Sequence, residues 1–379
     1  MTKKEQMNKF QKYATIGIFI ALVFVPGVAW VFCGGTIGDD NSENRKLAEM
    51  PAFDITKIDK FPKQFDEYYN DHAPFRRVIK DAWTGLNYTA LGDSTTENVV
   101  VGKNNGSSGS EAWLFYSKSS DNNPVASVQG IVEHSDDIVK KIDSSIKSTT
   151  DELRKKGIDY YFFIAPNKEN IYREYLPDNV AIFGEKSKDE KLIDRLKISN
   201  KNIIYGKEEI MNAKDVGQLY YKQDTHWNNL GAFYGFKALM QSIEPEFKDY
   251  EYKLEYTEPK VHNRDLARFL GMRNYFTDVD AIIRYREKST VQISAESEGD
   301  KEVKISVNDK PAVDKTLMVI GDSYRSAMLP YLQKVYRKVV SVSRAGGYEK
   351  PFIEKYQPDV VIMEAVERYA MSGGKFKVL

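Results

Sequence analysis

The chain has 379 residues and a mass of 43.4 kDa, enough for one large domain or two ordinary ones. Hydrophobic residues make up 41% and charged residues 29%, so the chain can bury a core and is not of the disordered class. The 55 basic residues balance 55 acidic ones, which removes the electrostatic case for nucleic-acid binding. Cys33 is the single cysteine, so an internal disulfide framework, a Cys-based zinc site and a CxxC redox pair are excluded. With 4 histidines in all, imidazole chemistry has few places to be.

The N-terminus carries the strongest single signal. Residues 14–32, ATIGIFIALVFVPGVAWVF, hold no charge. As a helix at about 1.5 Å per residue they span about 29 Å, close to the hydrocarbon core of a bilayer. Lys3, Lys4, Lys9 and Lys12 precede the run, whereas Asp39, Asp40 and Glu43 follow it. The positive flank predicts a cytoplasmic tail at 1–12, a transmembrane anchor at 13–33 and everything beyond on the outside of the cell membrane. A cleaved signal peptide is the alternative, with Gly27-Val28-Ala29 as a small-x-small site, but the apolar run continues past it. Phe32 before Cys33 argues against a lipoprotein cysteine.

Residues 34–90 read as an extracytoplasmic stalk and lead-in helix, the latter carried by the amphipathic FPKQFDEYYNDHAPFRRVIKDAW (61–83). Residues 91–379 read as one α/β domain. VVVG and WLFY, separated by the Gly/Ser/Asn loop at 103–112, are paired short strands. Ile131, Ile138, Ile142, Ile146 and Leu153 recur at helical spacing, and Gly157 is a natural helix terminator. DYYFFIAP (159–166) has the continuous apolar character of a buried parallel strand, and NIIY (202–205) is a second short run. NLGAFYGFKALMQSI (229–243) is helical, with Leu230, Phe233, Met240 and Ile243 on one face. Residues at about 250–312 are polar, with alternating stretches such as TVQIS and EVKISV, and read as an insertion of irregular and antiparallel structure. TLMVIGD (316–322), RSAMLPYLQKVYR, KVVSVS (338–343) and PDVVIME (358–364) restore a strand–helix–strand rhythm. That rhythm predicts a three-layer α/β/α fold around a mostly parallel sheet.

Two short segments carry chemistry. In GDSY (321–324) a serine follows an apolar strand and precedes a helix, where open α/β sheets place ligands. The amides of Ser323 and Tyr324 open that helix and can hold an oxyanion; the alternative is that Asp322 or Ser323 is a plain helix cap. In DTHWN (224–228), Asp224 and His226 stand two apart, so in an extended segment both side chains leave one face. A serine hydroxyl needs such a carboxylate-oriented imidazole to act as a nucleophile; the alternative is that Asp224 or Thr225 caps the following helix. His134 in an acidic, solvent-facing stretch, His262 in the polar insertion and His72 in DHAP read as structural or surface residues. No His/Asp/Glu set has metal-ligand spacing, and no P-loop or GxGxxG motif is present, so neither metal nor cofactor is expected.

GDSY resembles the serine block of SGNH-type hydrolases, and DTHW resembles the Asp-x-His-Trp block of the alginate O-acetyltransferase family and its DHHW-type relatives. NRKLAEMP with DHAPFR, VVVGKN…EAWLFY, FFIAPNKENIYREYLP, RDLARFLG and PDVVIMEAVER are also similar to family segments, so the likeness runs over about residues 43–370. It implies an SGNH-like catalytic domain with Ser323 as nucleophile, His226 as general base and acid, and Asp224 as the residue orienting His226. It also suggests Arg344 and Tyr348 as counterparts of an arginine and a tyrosine that line the family's site. The implied activity is transfer of acetyl groups onto hydroxyls of a cell-surface or secreted polysaccharide, beside a membrane-bound O-acyltransferase that delivers acetyl. The loop at 104–111 is longer than the family's. A separate carbohydrate-binding domain after residue 379 is not expected, so polymer capture is expected to fall to the catalytic domain or a partner. An acetyl esterase with the same triad, or a non-catalytic assembly protein of an envelope complex, would use the same motifs.

Overall fold

The computed structural model describes residues 11–21, 24–25, 27–28, 47–73, 76–92, 94, 96–104, 109–298, 301–343 and 350–370. The chain divides into two units, Met1–Thr95 with Arg268–Met272, and Thr96–Ala267 with Arg273–Leu379. In the first, residues 11–21 are helical, and part of the expected anchor lies outside the described residues. Among the described residues no helix is long and apolar enough to cross a membrane. Helices α1 (Phe61–His72) and α2 (Arg76–Leu91) follow. Along α1 the rings of Phe61 and Phe65 stack, as do those of Tyr68 and His72 at 4.3 Å, and His72 Nδ1 also meets the Tyr68 carbonyl. His72 is therefore a packing residue of its own helix.

The second unit begins with an antiparallel pair, β1 (Val99–Asn104) and β2 (Ala112–Tyr116). Then come α3 (Asp136–Arg154), β3 (Asp159–Ala165), α4 (Lys168–Ile171), α5 (Lys188–Ser199), β4 (Ile203–Tyr205) and α6 (Asn229–Ile243). Strands β5 (Tyr252–Tyr256) and β8 (Ala281–Tyr285) pair with each other, as do the two-residue β6 (Lys260–Val261) and β7 (Thr277–Asp278). The chain continues through β9 (Val291–Glu298), β10 (Lys301–Asn308), β11 (Val313–Gly321), α7 (Arg325–Gln333), β12 (Tyr336–Ser343), α8 (Lys350–Tyr356) and β13 (Val360–Val366).

Seven strands form the main sheet in the order β4-β3-β13-β11-β12-β10-β9. The first five are parallel, β10 pairs antiparallel with β12 and β9 antiparallel with β10, so the sheet is mixed. The polar region holds the antiparallel pairs expected of it; β5/β8 and β6/β7 form small sheets of their own, whereas the β9/β10 pair joins the edge of the main sheet. In this hairpin Val303 is buried and Ile293 is exposed.

The parallel strands are buried on both faces, and their period of two splits them between two cores. Phe163, Leu317, Val319 and Ile362 pack on one side with Leu230, Phe233 and Met240 of α6. Phe162, Ile164, Met318 and Met363 pack on the other with Ile142 and Ile146 of α3 and Leu192 of α5. Each fully buried side chain of this size contributes about 1.5–3 kcal/mol. The helix α3 starts only at Asp136, which leaves Ile131 outside it and 61% exposed. His134, read as solvent-facing, is buried instead, with Nε2 2.7 Å from Asp189 of α5.

Helix α3 ends in a Schellman motif. Gly157 N donates to Arg154 O, Ile158 N donates to Leu153 O, and Gly157 itself is left-handed at φ +72°. A Cβ at this position would meet nothing within 4 Å, so the demand for glycine is conformational alone. Gly157→Ala is expected to cost about 1–2 kcal/mol, measured by urea unfolding. Unchanged stability would mean that the turn does not limit the fold.

Candidate active site

Ser323 is exposed at the C-terminal mouth of β11, on a turn that the neighbouring strand β13 fastens. Asp322 does the fastening: its Oδ1 accepts from Tyr324 N at 3.0 Å and its Oδ2 from Val366 N at 2.8 Å. Its own amide donates to Glu364 Oε2 at 3.0 Å. Glycine is required at 321 because a Cβ there would run into the Glu364 side chain.

Tyr324 corrects one expectation. It is fully buried, its hydroxyl donates to the Thr225 carbonyl, and its amide is engaged by Asp322. Neither group faces a ligand. Among the described residues the Ser323 amide has no acceptor, unlike that of Tyr324. Tyr324 acts as a tie instead, because Trp227 Nε1 donates to its carbonyl at 3.1 Å. The turn carrying Ser323 is thereby joined to the segment carrying His226. Arg344 and Tyr348 lie outside the described residues.

His226 stands on a loop closed by an antiparallel bridge between Tyr220 and Trp227. Asn228 ends the loop and caps α6, accepting from Leu230 N and Gly231 N. Asp224 and Thr225 are thus released from capping. Asp224 Oδ1 accepts from the His226 amide at 3.0 Å and lies 2.6 Å from Nδ1. The two side chains meet because this local turn folds the carboxylate back on residue i+2, not because the segment is extended. On the other edge of the ring, Nε2 is 2.6 Å from Ser323 Oγ. With Nδ1–H donating to Asp224, the Nε2 lone pair faces the serine proton.

Asp265 completes the arrangement. It accepts from Thr225 N at 2.8 Å and Thr225 Oγ1 at 2.5 Å, and its amide donates to Asp224 Oδ2 at 3.2 Å. Its Oδ2 also lies 3.7 Å from His226 Nδ1. Within RDLARFLG nothing local distinguishes it; only folding brings it to the pair. Asp224, His226 and Asp265 offer possible metal-ligand atoms within 4.8 Å of one another. Those atoms are already turned to Nδ1–H and to Thr225, so a cation would have to break the hydrogen bond that orients the ring.

The charges set the basicity of the imidazole. Burial opposes the charged ring, but the hydrogen bond and charge of Asp224, with the charge of Asp265 behind, raise the His226 pKa above its ordinary value. Asp224, although buried, is held well below the usual carboxylate range by its hydrogen bond to His226. Burial and the neighbouring Asp224 charge push Asp265 up to about 6. A base with a raised pKa is neutral above that pKa and is lost as pH falls through it. NMR titration should place the His226 midpoint above that of an ordinary histidine. Asp265→Asn should lower it and Asp224→Asn should lower it further. A midpoint unmoved by Asp265→Asn would contradict this electrostatic account.

The family model for the SGNH hydrolase-like domain of the acetyltransferase AlgX matches residues 107–358. The chain is 22% identical over 334 residues to the probable alginate O-acetylase AlgJ of Pseudomonas putida, covering 82% of this chain and 80% of that protein. It is 21% identical over 328 residues to that of Pseudomonas syringae, covering 82% and 78%. A DHHW family protein from Eubacterium siraeum has a similar fold, with TM-score 0.54 at 15% identity over 75% of this chain and 95% of that one. Bacillus cereus PatB1 does too, with TM-score 0.52 at 15% identity over 74% and 100%. The match of well over half of the chain to the family model shows that this protein belongs to the AlgX-type SGNH hydrolase-like acetyltransferase family.

Proposed function

We propose that this protein is an O-acetyltransferase that moves acetyl groups onto hydroxyls of a cell-surface or secreted polysaccharide through an acetyl-serine intermediate. The observation that carries this reading is the contact of an exposed Ser323 with His226 Nε2, while Asp224 holds Nδ1. In the first half-reaction Ser323 Oγ attacks the donor's acetyl carbonyl and its proton passes to Nε2. The Ser323 amide faces the oxyanion of the tetrahedral intermediate. Collapse expels the donor's oxygen, which takes the proton back from His226. In the second half-reaction a sugar hydroxyl attacks acetyl-Ser323 and gives its proton to Nε2. Collapse then releases the acetylated sugar and returns that proton to Ser323.

The family's acetyltransferase character and the alginate O-acetylases among the relatives support transfer rather than hydrolysis. Location outside the cytoplasmic membrane, with the bilayer holding residues 13–33 and a membrane-bound O-acyltransferase supplying acetyl, rests on the uncharged run behind four lysines. A fixed position beside an acetyl source serves transfer, whereas a free hydrolase has no use for it.

The experiment is to incubate the full-length protein with an activated acetyl ester, with and without an oligosaccharide acceptor. Acetyl-Ser323 should accumulate without acceptor, and the acetyl group should move to sugar when acceptor is added. Ser323→Ala and His226→Ala should each abolish labelling with folding intact, because members of one catalytic unit act together. Asp224→Asn should lose about 10²- to 10³-fold, less than the ~10⁴-fold known for a serine-protease triad, because Asp265 leaves a second carboxylate beside Nδ1. Full turnover by Ser323→Ala would move the chemistry elsewhere. Release of free acetate at an equal rate with and without acceptor would make it an esterase.

A further inference from the structure

Lys168, in the short helix α4, is fully buried. Among the described residues no carboxylate lies within hydrogen-bond reach of its ammonium. Instead Nζ donates to three backbone carbonyls: Tyr221 at 3.3 Å, Lys222 at 3.0 Å and Asp224 at 2.6 Å. All three belong to the loop that presents Asp224 and His226. Three acceptors call for three N–H bonds, and only the protonated amine has them; a neutral amine has two and turns a lone pair on the third carbonyl. Other groups hold the loop as well. Leu114 N donates to Lys222 O, Gln223 Nε2 to Ala112 O, and Lys222 N to Asp278 Oδ2. Lys168 alone among these reaches the carbonyl of Asp224 itself.

We propose that Lys168 is a positioning residue whose ammonium group staples the Asp224–His226 loop, so that the imidazole stays aligned with Ser323 only while the lysine is protonated. The surroundings suit a charge that can be lost. Burial draws the Lys168 pKa down to about 8, opposed by the negative charges of Glu169 on its own helix, Asp265, Asp224 and Asp278. From β2, the rings of Trp113 and Phe115 stand 6.0 and 5.4 Å from Nζ, and Lys222 on the loop faces Glu111 at 3.5 Å. A buried charge whose partners are carbonyls rather than a paired carboxylate is costly and discharges readily. The sign follows: the staple is whole below the Lys168 pKa and is lost as pH rises through it. The reaction therefore has an alkaline limit set by Lys168, opposite to the acid limit set by His226.

The activity arm of this inference rests on the proposed role of Ser323 and His226; the structural arm does not. Hydrogen exchange of residues 219–228 in the full-length protein, corrected for intrinsic rates, should lose about tenfold or more protection between pH 7 and 9.5. Lys168→Met should start with low protection at pH 7 and change little further. Modification of Ser323 by a sulfonyl fluoride should be about 10- to 100-fold slower in Lys168→Met at pH 7, the loss of one or two charge-assisted hydrogen bonds. Its pH profile should lack the alkaline limb of the unmodified protein. Constant protection of the wild-type loop up to pH 9.5, or an alkaline limb that persists in Lys168→Met, overturns the proposal. If Lys168→Met does not fold, wild-type exchange decides alone. Loop opening with no Ser323 modification at any pH would leave the staple standing and remove the acyl-transfer reading.

Discussion

Everything at this site depends on one imidazole held by both edges. His226 can take a proton from Ser323 only if Nδ1 keeps its own proton on Asp224, and that bond and the serine contact are each 2.6 Å. The serine and the histidine are 97 residues apart. Their alignment is therefore a property of two turns pressed together, and the buried Tyr324 provides the connection. Its hydroxyl meets the Thr225 carbonyl and its carbonyl accepts from Trp227, so the serine turn and the histidine loop share a residue that sees no solvent.

The electrostatics follow from burying so many charges near one surface hydroxyl. Asp224 stays ionised because His226 bonds to it, while burial, with the Asp224 charge beside it, pushes Asp265 up. Behind the serine turn, Glu367 accepts from Asn167 N and Asn170 Nδ2, and Arg368 lies over the Tyr324 ring. Burial with Asp189 and Glu190 nearby raises the Glu367 pKa to about 8, which lets it remain neutral inside the protein. These groups follow directly on β13, whose Val366 amide holds Asp322. One strand end thus both supports the turn and supplies the polar layer beneath it.

Much of the frame was legible in the residues. DYYFFIAP, TLMVIGD and PDVVIME are strands β3, β11 and β13 because continuous apolar runs suit a sheet covered on both faces. Gly157 ends α3 because a left-handed residue is needed there. Less legible was the region around 250–312. Its alternation suggested antiparallel structure, and the strands are antiparallel; what the residues did not show is that β9 and β10 join the edge of the main sheet while β5/β8 and β6/β7 stand apart from it. His134 misled for a similar reason: acidic neighbours in sequence imply solvent, yet its partner, Asp189, comes from α5 far along the chain.

What the sequence by itself determined are the features whose cause is local. A serine at a strand end and an Asp-x-His pair are visible through their spacing, because backbone geometry acts over a few residues, although the pair meets on a tight turn and not in an extended segment. Only the tertiary structure decided which groups those local features would meet. Asp265 behind Asp224, Lys168 under the loop carbonyls and the burial of Tyr324 have no sequence period or spacing that links them to His226. They are set by how the sheet and its connecting segments pack, and packing brings together residues from anywhere in the chain.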